Sequence, residues 1–264
     1  MFPYFVIGNQ TYPMYALIGL AALFVASGVV YSRARYIGFT YFDLLMGIVF
    51  LGVGLIIGGM LLHAIVQIPI LWENRALLTV FSFFRTAFGG MVFYGGLAGV
   101  LASIPLYAKL LKRDLHTIVI LLIPVFPLAH GIMRIGCFMA GCCYGVEHEA
   151  LGIAFSRSLV APNGVSLLPV QLYESVANIV IFVVLWLYTR KHRTPLNVLC
   201  FYGTLYAAAR FMLEFLRGDA MRGFVFALST SQFISVLVIT ACAIVLIWQV
   251  LKPIQREAYI CEKH

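Results

Sequence analysis

Charge is what this sequence has least of. Of its 264 residues only 11% are Asp, Glu, Lys or Arg, while 62% are hydrophobic and the mean hydropathy is +0.99. A soluble domain carries about 25% charged and about 45–50% apolar residues. In water a chain of this size needs a charged surface, so a large core does not account for the deficit; lipid does, because side chains facing a bilayer are apolar wherever they point. Also missing are a nucleotide-binding glycine motif, a nucleophile elbow and any interleaving of basic and aromatic residues. The net charge of +8 therefore does not indicate a nucleic-acid partner, since the basic residues sit in short clusters between apolar runs. The N-terminus lacks the basic n-region and small-residue cleavage site of a signal peptide, and the whole chain is expected to be mature. No polar linker or internal repeat divides it, so residues 1–264 are expected to form one transmembrane domain.

What is present in abundance is long apolar segments. They predict about seven transmembrane helices at 14–32, 42–66, 88–110, 117–136, 168–189, 196–216 and 229–251. The fold class is thus an all-α polytopic membrane protein. Pro124 and Pro127 predict a broken or kinked fourth span. Glycines at close spacing in the second and third spans suit tight helix packing in lipid. Gly95 and Gly96, adjacent and following Tyr94, are set apart as backbone that a ligand could approach. Basic residues order the loops: eleven Lys and Arg lie on one side and six on the other, with Arg210 inside a span. By the positive-inside rule the richer side is cytoplasmic, which puts the N-terminus out and the C-terminus in. The stretch at about 137–167 then forms a small extracytoplasmic cap, with a short β-like run at residues 152–155.

Charges within spans cost about 2.5–3.5 kcal/mol each at a helix centre, which makes them functional candidates. Tyr206, Arg210, Glu214 and Arg217 follow at steps of four, four and three and share one helical face. Two arginines around one glutamate leave a positive stripe suited to an anionic phosphate, which Arg binds as a fork; a structural ion-pair ladder is the alternative. Arg134, between Gly131 and Gly136, is a second candidate for a lipid headgroup. Gln171, Tyr173 and Glu174 follow Pro169 in the first turns of the fifth span, where helix capping or an aromatic interface belt would serve as well.

The six cysteines divide into isolated Cys200, Cys242 and Cys261 and a cluster of Cys137, Cys142 and Cys143. On an outward-facing segment the cluster admits a disulfide, free thiols or, with less support from spacing, a metal site. His63, on an apolar span, reads as a satisfied core residue.

These segments, in this order, resemble the prolipoprotein diacylglyceryl transferases, and the resemblance covers most of the chain. It rests on Tyr12-Pro-Met-Tyr15; on Gly90-Met-Val-Phe-Tyr94-Gly-Gly-Leu-Ala-Gly99; on Arg134-Ile-Gly-Cys137-Phe, similar to a signature Arg-x-Gly-Asn-Phe; on Pro169-Val-Gln171-Leu-Tyr173-Glu174; and on Tyr206-x-x-x-Arg210-Phe-x-x-Glu214-Phe-x-Arg217. The resemblance implies a seven-span enzyme of the bacterial inner membrane that needs no cofactor. Its reaction would move a diacylglyceryl group from phosphatidylglycerol, or a similar anionic phospholipid, to the lipobox cysteine of a preprolipoprotein, releasing glycerol phosphate. Arg210, Tyr206 and Tyr94 would be catalytic. Arg134, Arg217, Glu214, Gln171, Tyr173, Glu174, Gly95 and Gly96 would bind substrate. Where the family has histidine before Gly-Gly this chain has Tyr94, and Cys137, Ala140 and Cys142 replace two asparagines and a glutamate. A paralogue with a glycan or small-thiol acceptor, a thiol–disulfide module and a non-catalytic lipid-binding protein are the competing readings.

Overall fold

A computed structural model describes residues 3–73, 79–90, 92–158, 160–191, 193–218, 224–225 and 228–251, apart from the side chains of Phe93, Tyr94, Phe224, Val225 and Val250. Cys261 and the basic residues Arg75, Arg222, Lys252, Arg256 and Lys263 lie outside this set. A span in lipid must satisfy its backbone N–H and C=O groups internally, and the apolar runs accordingly form helices. In chain order these are α1 (Met14–Ala34), α2 (Tyr41–Glu73), α3 (Val80–Phe88), α4 (Phe93–Leu110), α5 (Leu115–Ala140), α6 (Val170–Tyr188), α7 (Pro195–Glu214) and α8 (Thr230–Leu251). Among the described residues six are long and apolar enough to cross a bilayer, and Gly95–Leu110 of α4 supplies a shorter apolar run at the third expected position.

Among the described residues many large apolar side chains are exposed, while several polar ones are buried beside an apolar core. Phe24 is 83% exposed and Trp72 69%, whereas Gln171, Glu174 and Asn178 are buried. Such extensive exposed apolar surface fits lipid as the solvent.

Two expectations are corrected. The run at 88–110 is not one helix: α3, capped by Thr79, whose hydroxyl accepts from the Ser82 N–H, ends before Gly89-Gly90, and α4 starts at Phe93. Of the broken or kinked fourth span that was expected, the break is absent, since α5 is helical through Pro124 and Pro127. Both prolines are fully buried.

Tertiary contacts gather into two units, Val30–Leu121 and the remainder of the chain. In the first, α2 and α4 pack through glycine. A Cβ on Gly58 would collide with the Gly95 carbonyl, one on Gly95 with the Gly58 carbonyl and Leu62, and one on Gly99 with the Gly54 carbonyl. The side chain of Leu55 lies against Gly96. Helix packing therefore accounts for both glycines that had been set apart. His63 is satisfied within the same unit, by the Ala87 carbonyl at 3.0 Å and the Gln67 amide at 3.3 Å. At the other end of α2, Asp43 accepts from Arg113 through both oxygens, at 3.2 and 2.6 Å.

The second unit opens with a hairpin, β1 (Tyr4–Ile7) paired antiparallel with β2 (Gln10–Pro13), ahead of α1. In the expected cap segment β3 (Ile153–Ala154) pairs with β4 (Ser166–Leu167), around a small core of Phe155, Ala161 and Leu167. The helices α6, α7 and α8 follow in series.

The α2–α4 contact yields a stability prediction. Gly58→Val is expected to lower stability by at least the ~1–3 kcal/mol of ordinary overpacking, because backbone cannot move aside as a side chain can. Gly52→Ala, on the same helix with open space around its Cβ position, is expected to be neutral. Thermal unfolding of both variants in detergent measures the difference.

Candidate active site

Arg134 of α5 and Arg210 of α7 converge on Glu174 of α6, and α8 joins the cluster through Arg210. The sequence places it on the buried face of α6, where Gln171, Glu174, Ser175 and Asn178 follow at helical spacing and all are buried. That face is locked to α5, because Gly131 has no side chain and the Ser175 hydroxyl reaches its carbonyl at 2.7 Å. Asn178 donates to the Glu174 carbonyl at 2.8 Å. One turn beyond Gly131, Arg134 brings its Nε to 2.5 Å from Glu174 Oε2. From α7, Arg210 brings Nη1 to 2.5 Å from Glu174 Oε1.

One carboxylate is thus held between two guanidiniums, with relative side-chain exposures of 5% for Glu174 and 14% for each arginine. The Arg210 contact is an aligned hydrogen bond. Arg134 Nε meets Oε2 by charge and proximity without that alignment, because neither atom has a hydrogen bond of acceptable direction. Arg210 Nη2 lies 2.8 Å from Glu214 Oε2, one helical turn on, and donates to Ser231 Oγ of α8 at 3.0 Å. Ser231 is itself positioned by a capping box, in which Ser229 N–H donates to Gln232 Oε1 and Gln232 N–H to Ser229 Oγ, at 3.1 and 3.2 Å. Thr194 and Pro195 start α7 in the same manner, the Thr194 hydroxyl accepting from the Asn197 N–H.

The cluster balances two cations against two anions, which permits it to exist in a low-dielectric interior. An aromatic wall borders it. The Tyr206 ring lies 5.6 Å from His130 and 5.9 Å from Tyr202, and Arg134 is within hydrogen-bonding reach of the Tyr206 phenol.

Other expected site residues lie close by with different tasks. Gln171 is fully buried and donates to the Cys142 carbonyl at 2.6 Å, which ties the cap to α6. Tyr173 is half-buried in the first turn of α6. Arg217 does not extend the helical stripe, because α7 stops at Glu214. Backbone hydrogen bonds from Val146 to the Leu216 carbonyl and from Gly218 to the Tyr144 carbonyl draw this segment against the cap instead. The Tyr94 side chain lies outside the described residues. Cys137, Cys142 and Cys143 are free thiols. The Cys143 thiol is pushed well below the ordinary range by hydrogen bonds from Cys137 and Cys142 and then by the Arg217 and Arg134 charges. Cys200 and Cys242, expected to be isolated, interact with each other.

His130 and Ser231 were missed as site residues. His130 precedes Arg134 by one helical turn, and that spacing was the available signal. Nothing local marks Ser231, which arrives through α8.

A family model described as "Prolipoprotein diacylglyceryl transferase" matches residues 4–248. The chain is 40% identical to a protein of Clostridium tetani (strain Massachusetts / E88) named "Phosphatidylglycerol--prolipoprotein diacylglyceryl transferase", over 189 residues that cover 71% of this chain and 73% of the relative. It is 32% identical to one of Clostridium perfringens (strain 13 / Type A), named "Phosphatidylglycerol--prolipoprotein diacylglyceryl transferase 2", over 235 residues and 89% of each chain.

The charge balance sets a further prediction. Glu174→Gln leaves two guanidiniums facing each other in a buried site, where loss of one partner costs about 3–5 kcal/mol. Unfolding in detergent is expected to show a loss of that size, several times the loss for Glu147→Gln on the exposed cap.

Proposed function

The chain belongs to the prolipoprotein diacylglyceryl transferase family, and we propose that it moves a diacylglyceryl group from phosphatidylglycerol to the lipobox cysteine thiol of a preprolipoprotein, releasing glycerol phosphate. The observation that carries this reading is the pair of guanidiniums, Arg134 from α5 and Arg210 from α7, brought together on Glu174. Its proposed setting is the bacterial cytoplasmic membrane, with the N-terminus and the cap outside and the C-terminus inside.

The chemistry asks for such a pair. The thiolate attacks the glycerol carbon, the carbon–oxygen bond breaks, and the electron pair stays on the phosphate, which changes from a singly charged diester to a doubly charged monoester. The barrier falls where fixed cations already stand at the site of growing charge. Glu174 and Glu214 hold the arginines in place without a ligand, so little reorganisation accompanies reaction. Arg134 engages Glu174 through Nε and lies within hydrogen-bonding reach of the Tyr206 phenol, and its guanidinium is proposed to meet the donor phosphate. Tyr206 orients the lipid, while Glu214, Arg217, Gln171 and Tyr173 support the constellation and the chain segments around it.

Proteoliposomes containing labelled phosphatidylglycerol and a lipobox peptide test the proposal. Transfer by the wild-type protein is expected, with Arg210→Gln lowering kcat/KM by about 10²–10³. Absence of wild-type transfer, or full activity in Arg210→Gln, contradicts it.

A further inference from the structure

A transfer to sulfur needs a group to take the thiol proton, and the charged residues at the centre of the site are already committed. Both oxygens of Glu174 face arginines, and Glu214 faces Arg210. His130 is different. It lies on α5 one turn before Arg134, half-buried, with its ring packed between Phe126 at 6.4 Å and Tyr206 at 5.6 Å. No described residue hydrogen-bonds either of its ring nitrogens, and neither nitrogen is among the sealed polar atoms. Elsewhere His63 is engaged by Ala87 and Gln67, and His148 accepts from the Leu151 N–H.

We propose that His130 is the general base of the transfer. The inference rests on the function proposed above and adds a catalytic residue to it. The imidazole takes the proton from the acceptor S–H; the sulfur forms its bond to the glycerol carbon as the carbon–oxygen bond breaks; the electron pair leaves on glycerol phosphate. The imidazolium then returns its proton to that phosphate or to water. Charged and aromatic groups surround the imidazole. Arg134 on its own helix and Arg210 on α7 are the cations that meet the leaving phosphate, Glu174 on α6 lies between them, and Tyr206 and Tyr202 on α7 supply the aromatic side. The proton acceptor and one arm of the phosphate clamp, Arg134, thus stand on adjacent turns of one helix, and Arg210 reaches the same carboxylate from α7.

The test is the pH profile of transfer by wild type, His130→Gln and His130→Asn. A positioned general base contributes about 10²–10⁴-fold, so kcat/KM of both variants at about pH 7 is expected to fall by ~100-fold or more. The variants are then expected to recover about tenfold per pH unit toward the thiol pKa of about 8.5, where the acceptor ionises unaided. Arg210→Gln is expected to show no such recovery, since its defect lies at the phosphate. Wild-type activity in either variant, or a loss that is the same at every pH, overturns the assignment of His130 while leaving the transferase reading standing. Absence of wild-type transfer at any pH overturns that reading and the assignment with it. If one variant fails to fold, the other still decides.

Discussion

Glu174 is shared by two arginines that come from helices on either side of it in the chain, and the rest of the second unit is arranged around that fact. A charge in an apolar environment is tolerated only when paired. The two guanidiniums need the carboxylate as much as it needs them, so α5, α6 and α7 are held in one relative arrangement by three side chains. Each secondary contact extends this grip. Ser175 reaches the Gly131 carbonyl, Gln171 holds the cap through the Cys142 carbonyl, and Ser231 joins α8 to Arg210. Helix packing elsewhere, such as the glycine seam of α2 and α4, is apolar and steric.

On the proposed reading, the same balance that stabilises the resting site prepares it for an anion. With both carboxylates in place the cluster is neutral, so it can remain buried between turnovers. In the proposed reaction a phosphate that gains charge would meet cations already held in place, which is the condition for electrostatic catalysis without reorganisation. Arg217, drawn to the cap by backbone hydrogen bonds around it, adds a positive charge near Cys143.

Much of this was legible in the sequence because lipid imposes simple rules. Apolar length located the long helices, though α2 runs on to Glu73, past its expected end at 66, and α3 was not expected; the cost of intramembrane charge singled out Arg210 and Glu214, while Arg134 and Glu174 stood out by the glycines and proline beside them. What was not legible depended on tertiary partners. The stripe on α7 suggested Glu214 as the carboxylate between arginines, yet Glu174 holds that place, because ion pairs between helices leave no spacing rule in one helix. Pro124 and Pro127 looked like a break or a kink, and helix runs through both. Gly95 and Gly96 looked like a ligand approach, and α2 fills the space. The hairpin at Tyr4–Pro13 went unnoticed because four-residue strands beside an apolar span carry little periodicity of their own.

The most direct test is an experimental density map of the protein with phosphatidylglycerol bound. The account predicts one lipid phosphate within hydrogen-bonding distance of both Arg134 and Arg210 while Glu174 still bridges the two guanidiniums. A headgroup that touches neither arginine, with both still closed on Glu174, would contradict it.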